Sequence, residues 1–210
     1  MSLAACRLAA AILTSVACAG AAAAVVATNT TYGVIDSSAT TRALEVSSRG
    51  IVTDVNIAVE FSKCDDPPIG PAGTRCLGPG DPFEEEFMLT LVAPDGTRVD
   101  LVQSFTTYDG SGRNRNRVSV LFDDEALRSA GPRVEGGSFR PEESLSAFDG
   151  MDTFGSWTLY LQDFGFGDPL EFFSAQLDIT FDAPPAQVPE PATLAMLGLG
   201  LLGMRLSRKR

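Results

Sequence analysis

The chain has 210 residues, a formal net charge of −11 and no histidine. That length holds one domain plus processing segments rather than two full domains. The acidity argues against nucleic acid as a partner, because it repels phosphate backbones. The missing imidazole removes Ser-His-Asp and Cys-His catalysis and histidine-ligated zinc.

The chain opens on "MSLAACRLAAAILTSVACAGAAAA". One arginine, an apolar core and a run of small residues form the layout of a secretory signal peptide, placed at residues 1–27. The alanine run leaves the cut anywhere from Ala19 to Ala27, and an uncleaved anchor is the competing reading. Residues 28–42 read as a lead-in. From Thr28 to Asp182 there are 11 Lys+Arg against 26 Asp+Glu, a balance of −15. The other basic residues, Arg7, Arg205, Arg208, Lys209 and Arg210, sit at the termini.

The body, residues 43–182, alternates with period two. In "DVNIAVEF", Val55, Ile57, Val59 and Phe61 share a face, with Asp54, Asn56 and Glu60 on the other. "RVSVLFDD" and "WTLYLQD" behave alike, and in "FSAQLDITFD" the inward set is Phe173, Ala175, Leu177, Ile179 and Phe181. These are half-buried strands. "EEFMLTLVAPDGTRVDLVQ" reads as a hairpin turning on "PDG", where proline presets φ and glycine accepts a positive φ. No long helical period occurs in the body. The expected fold is all-β: about eight strands in two packed antiparallel sheets. A signal segment and a C-terminal sorting helix flank it.

Between the first strands and the hairpin lies "CDDPPIGPAGTRC". Cys64 and Cys76 are the two cysteines left after signal removal, an even count in an oxidising compartment, so they are expected to form a disulfide. Zinc is the alternative, needing carboxylates to complete a two-thiolate site. The Glu84–Glu86 run reads as an exposed edge. "FTTYDGSGRNRNR" gathers Arg113, Arg115 and Arg117 in a loop, either a binding loop for an acidic polysaccharide or a solvated loop that tempers local negative charge. Trp157 follows the inward phase of its strand and reads as core rather than a sugar platform. "FGFGDP" has the means to present a ring or two at the surface.

Calcium wants six to eight oxygens from carboxylates and loop carbonyls. Asp123, Asp124, Asp149 and Asp152, in "FDDEA" and "FDGMD", lie at strand ends and are the first choices for such a site. The competing reading is that they cap turns and solvate an acidic surface.

The chain ends on "APPAQ", a proline-rich linker over 183–187, then "VPEPATLAMLGLGLLGMRLSRKR", residues 188–210. The uncharged run from Pro191 to Met204 reaches roughly 21 Å as a helix, against a hydrocarbon core of about 30 Å. It is short for a permanent span. Its basic end favours the cytoplasmic side, leaving the body outside.

That order of "VPEP", glycine-rich apolar run and basic terminus resembles a PEP-CTERM sorting signal. The resemblance implies a transient membrane anchor recognised at Pro189, Glu190 and Pro191 and cut by an exosortase in the inner membrane of a Gram-negative bacterium. Export to the cell surface or the extracellular space would follow.

The body carries a second resemblance. "LEVSSRGIVTDVNIAVEF", "FMLTLVAPDGTRVDLV", "VLFDDEA", "GSFRPEESLSAFDGMDTFGSWTLYLQD" and "GDPLEFFSAQLDITF" follow in the order of the P/Homo B domain of subtilisin-like proprotein convertases. The resemblance implies a jelly-roll-like sandwich, and some members bind calcium. It departs from the family in two ways: a histidine-containing stretch is replaced by the cysteine loop and "GPGDPFEEEF", and no catalytic domain accompanies it. Proteolysis is therefore not inherited, and no enzyme activity is expected. Three functions fit: a structural or adhesive surface protein amid exopolysaccharide, an accessory domain acting in trans on a separate secreted protease, or a calcium- or carbohydrate-binding lectin-like module.

Overall fold

The computed structural model describes residues 22–110 and 113–183. The signal segment up to residue 21, the linker from residue 184 and the sorting tail lie outside the described residues. Ten strands are described: β1 Ala22–Asn29, β2 Gly33–Ile35, β3 Ser38–Val46, β4 Ile51–Lys63, β5 Phe87–Val92, β6 Arg98–Val102, β7 Val118–Phe122, β8 Gly137–Phe139, β9 Gly155–Asp163 and β10 Leu170–Asp182. Among the described residues the only helical pieces are two 3-10 turns, Glu84–Glu86 and Leu145–Phe148. No helix among them is long and apolar enough to cross a membrane.

The strands form two sheets. The first has the order β1-β10-β4-β7-β8, with β2 continuing beside β10 beyond β1; the second has the order β3-β9-β5-β6. Pairing is antiparallel except between β7 and β8, which run parallel. The all-β, two-sheet expectation holds. The strand count is higher because β2 and β8 have three residues each, too few to show an alternation.

The sandwich also begins earlier than residue 43. Strand β1 pairs along β10 from Ala22↔Asp182 to Asn29↔Ala175, and β3 pairs along β9 from Ser38↔Asp163. Their alternation is faint in the sequence because both lie at sheet edges. Only Ala27 is buried in β1, and only Leu44 and Val46 in β3.

The inward phases meet in one core. Val55, Ile57, Val59 and Phe61 of β4 face Trp157, Leu159 and Leu161 of β9, all nearly or fully buried. Trp157 packs edge-on against Phe148 at 5.0 Å and donates its indole N–H to Thr153 O at 3.0 Å, so its face is closed to ligands. The hairpin turns where expected. Gly96, at φ +94, closes the turn by donating to Ala93 O, and Ala93 donates to Thr97 O.

In β10 the phase of "FSAQLDITFD" needs a correction. The register slips between Phe172 and Ser174, a bulge that gives one extra residue. Phe172 therefore joins the main core, while Phe173 turns to the outer face of the first sheet. There it packs with Cys64, Ile69, Cys76 and Tyr32. The Cys64–Cys76 disulfide is formed, and its loop lies over this outer face.

A cross-link closing a loop of this size removes about 3 kcal/mol of unfolded-state freedom. Replacing Cys64 and Cys76 together by serine is expected to lower the unfolding free energy by about that amount. Urea titration of the variant against the parent protein measures it.

Candidate functional site

Continuing the inward phase of β4 past Phe61 brings Lys63 into the core. Continuing β9 past Leu161 brings Asp163 there. Both side chains are fully shielded from solvent. The Lys63 ammonium donates to Asp163 Oδ2 at 2.9 Å, to Glu86 Oε1 at 2.8 Å and to the Asp168 carbonyl. Asp163 also accepts from Gly165 N and Leu170 N, each at 3.0 Å. Burial pushes the Asp163 and Glu86 carboxyls above their ordinary range, although Lys63 pulls both back.

Two more buried carboxylates shape the loops around this point. Glu171 accepts from Tyr32 Oη at 2.6 Å, Ser62 Oγ at 2.9 Å, Ile69 N at 2.8 Å and Gly70 N at 2.9 Å. The disulfide loop is thereby tied to the first sheet. Burial, and then Glu171, push the Tyr32 phenol above its usual value. Glu84 accepts from Asn114 N at 2.5 Å and Val134 N at 3.0 Å. Its burial raises its carboxyl pKa. The acidic run is thus no exposed edge. Its first residue is fully buried, because two loops need an acceptor there.

Above this charged layer four phenylalanines reach solvent: Phe83 is 60% exposed, Phe105 67%, Phe164 44% and Phe166 88%. Backbone bonds to the 3-10 turn hold two of them out. Phe105 N donates to Glu85 O at 2.6 Å, and Phe164 N donates to Glu86 O at 2.9 Å. Their rings lie 6.3 Å apart. Phe105 holds φ +58, a strained conformation for a bulky residue. Phe83 N donates to Asp168 Oδ2 at 3.3 Å. The sequence foresaw rings in "FGFGDP" but not their neighbours from two other loops.

The arginine loop is largely committed to the fold. Arg117 forks onto Glu60 with two bonds of 2.7 Å and lies 3.9 Å above the Phe173 ring. Arg115 donates to the carbonyls of Gly78, Pro79 and Gly80. Arg113 is exposed and pairs with Asp81 at 3.3 Å.

The residues chosen for calcium lie toward the far end, roughly 30 Å away along β4. Asp124 accepts from Leu145 N at 3.0 Å and Ser146 N at 2.9 Å, capping the second 3-10 turn. Asp123 accepts from Glu125 N at 2.7 Å. Asp149 ends the same 3-10 turn, and Asp152 binds Arg49 at 2.5 Å. Burial, then Asp123 and more weakly Asp149 and Asp124, raise the Asp54 carboxyl. Among the described residues no three acidic side chains come together as a metal site, so the geometry lends calcium no support. A hollow of about 510 Å³ opens at this end, lined by Pro94, Asp152 and Phe154 among others.

Pro189, Glu190 and Pro191 lie outside the described residues. Residues 187–210 match the model of the PEP-CTERM protein-sorting motif. The chain is therefore one sorted by an exosortase system and exported to the cell surface. An exosortase-like enzyme is its partner in that step. No curated protein matches the chain.

Reasoning from sequence missed Lys63, Glu84, Glu86, Asp163, Asp168 and Glu171 as a group. For Lys63 and Asp163 the signal was present: each stands two residues beyond the last apolar inward position of its strand. Nothing comparable marked Glu84 or Glu171, whose partners are backbone amides of distant loops.

Burial raises Asp54, Glu84 and Asp168 in the folded state. Such groups hold protons that the unfolded chain has released. Stability then falls as pH rises from the ordinary carboxyl range through the raised values. Glu60, held low chiefly by Arg117, acts oppositely and at lower pH. The melting temperature is expected to rise on going from neutral pH to about pH 5, where unfolded carboxyls remain ionised. A melting temperature that only falls over that interval would contradict this.

Proposed function

We propose that the chain is a non-catalytic surface or matrix protein, adhesive in character, whose jelly-roll-like sandwich of P/Homo B type contacts envelope exopolysaccharide through its loop end. The observation that carries this reading is the exposure of the Phe83, Phe105, Phe164 and Phe166 rings, of which Phe105 and Phe164 are neighbours tied by their backbone to the Glu84–Glu86 turn. Monomeric proteins seldom leave several large rings together in water without a partner. Flat aromatic faces suit the C–H faces of sugar rings. The strongly negative body, and the commitment of Arg115 and Arg117 to internal bonds, favour a neutral polysaccharide over an acidic one.

The second reading is an accessory role in trans on a separate secreted subtilisin-like protease. It is supported by the resemblance of the body to P/Homo B domains, and the same rings would then meet a protein surface. A calcium-dependent lectin ranks below both, because the carboxylates chosen for it serve as turn acceptors.

The triple substitution Phe105→Ala, Phe164→Ala and Phe166→Ala is expected to lower adsorption to the cell's own neutral exopolysaccharide by roughly tenfold or more, each aromatic contact contributing on the order of 1 kcal/mol. Adsorption is measured by sedimentation with the purified polymer. Undiminished adsorption would sink the polysaccharide reading. Loss of co-purification with a secreted protease instead would favour the second. Separately, Glu190→Ala in the tail is expected to leave the protein unsorted in the membrane fraction, read by fractionation.

A further inference from the structure

Lys63 is the one lysine between Thr28 and Asp182; the other ten basic residues there are arginines. Arginine stays charged and is no nucleophile, whereas a lysine in a dry site loses its proton readily. That single lysine is fully buried, with Nζ 2.9 Å from Asp163 Oδ2 and 2.8 Å from Glu86 Oε1. We propose that Lys63 and Asp163 condense to an amide in the mature protein, with Glu86 as the proton-transfer group, so that a covalent bond joins the two sheets.

The geometry meets the requirements of that reaction. With Nζ 2.9 Å from Asp163 Oδ2, the amine is held beside the carboxyl group it would attack, which removes most of the entropic cost of bringing the two together. The Asp168 carbonyl holds Nζ in place, and Gly165 N and Leu170 N hold the Asp163 carboxyl. Those two N–H groups also face the oxygens on which negative charge gathers when the carbon becomes tetrahedral. Water is shut out from both reacting side chains, so the reverse hydrolysis lacks its reagent. Glu86 sits at the margin, its side chain 13% exposed, which gives the released water a way out. Gly165 lies against Glu86 so closely that a Cβ there would fall 2.0 Å from Oε2.

The step balances without any co-reactant. The first step moves one proton from Lys63 to Asp163, giving a neutral amine beside a neutral acid and relieving the burial of two ions. The Nζ lone pair then forms a bond to Asp163 Cγ, and the carbonyl electron pair moves onto its oxygen. Glu86, in the protonated form that burial favours over the charged one, gives its proton to the departing hydroxyl and takes one from the attacking nitrogen. A C–N bond forms, a C–O bond breaks and one water leaves. Glu86 returns to its starting state, and nothing is oxidised or reduced.

The proposal is independent of the polysaccharide reading. The test uses the secreted protein, denatured and reduced, with lysyl endopeptidase and mass spectrometry. The expected result is that the Lys63–Cys64 peptide bond resists cleavage. A second, arginine-specific digestion then releases a branched peptide joining the Lys63 and Asp163 segments, one water lighter than its two parts. Glu86→Gln, close in size and still able to bond Lys63, is expected to be cut at Lys63 and to give two separate peptides of full mass. Complete cleavage after Lys63 in the denatured, reduced parent protein, with no branched peptide, overturns the proposal. A branched peptide that persists in Glu86→Gln overturns the role of Glu86.

Discussion

In the fold as it first forms, before any cross-link, a single ammonium group sits where two sheets of apolar side chains run out. Strands β4 and β9 each carry their inward phase one step too far for a purely apolar core, and Lys63 meets Asp163 there with Glu86 beside them. Breaking a buried charge pair by removing one partner costs about 3–5 kcal/mol, because the other charge is left in a dry place. The pair is therefore a strict condition on local geometry. It fixes the 3-10 turn that carries Glu86, and through Asp168 it fixes the turn after β9. Those two elements are the ones that hold Phe83, Phe105 and Phe164 at the surface.

Part of the acidity of the chain is committed to its own backbone rather than displayed. The loops after β4, β6, β7 and β8 leave backbone N–H groups that no strand can satisfy. Glu171 takes those of Ile69 and Gly70, Glu84 takes those of Asn114 and Val134, and Asp124 takes those of Leu145 and Ser146. A carboxylate bonded to backbone amides is a strong acceptor, about twice as effective as a neutral one. Composition alone suggests a solvated anionic surface or a cation trap. The contacts show a third use, in which carboxylates organise irregular chain.

Legibility in the sequence followed periodicity. Strands β4, β9 and most of β10 carry alternating side chains because one face is buried, and the hairpin of β5 and β6 carries its turn residues openly. Strands β1 and β3 lie at edges and bury few side chains, so their pattern is weak. The bulge in β10 inverted one residue, Phe173, because a register slip depends on the partner strand and leaves no mark in the strand itself. The sorting tail was legible because its signal is linear. The buried charged group was half legible: Lys63 and Asp163 extend a visible phase, whereas Glu84 and Glu171 are defined by loops that approach from far along the chain.

The register of β1 has a consequence for maturation. Strand β1 begins at Ala22, within the stretch where a leader peptidase would find small residues to cut, and it occupies the flank of β10 over eight pairs. Removal of the leader before Ala22 leaves that flank covered. Removal at Ala27 would strip six of the eight pairs and leave a long ribbon of free amide and carbonyl groups, a template for a strand from another molecule. A cut before Ala22 would thus keep the β10 flank paired, and a cut after Ala27 would open it as a seam.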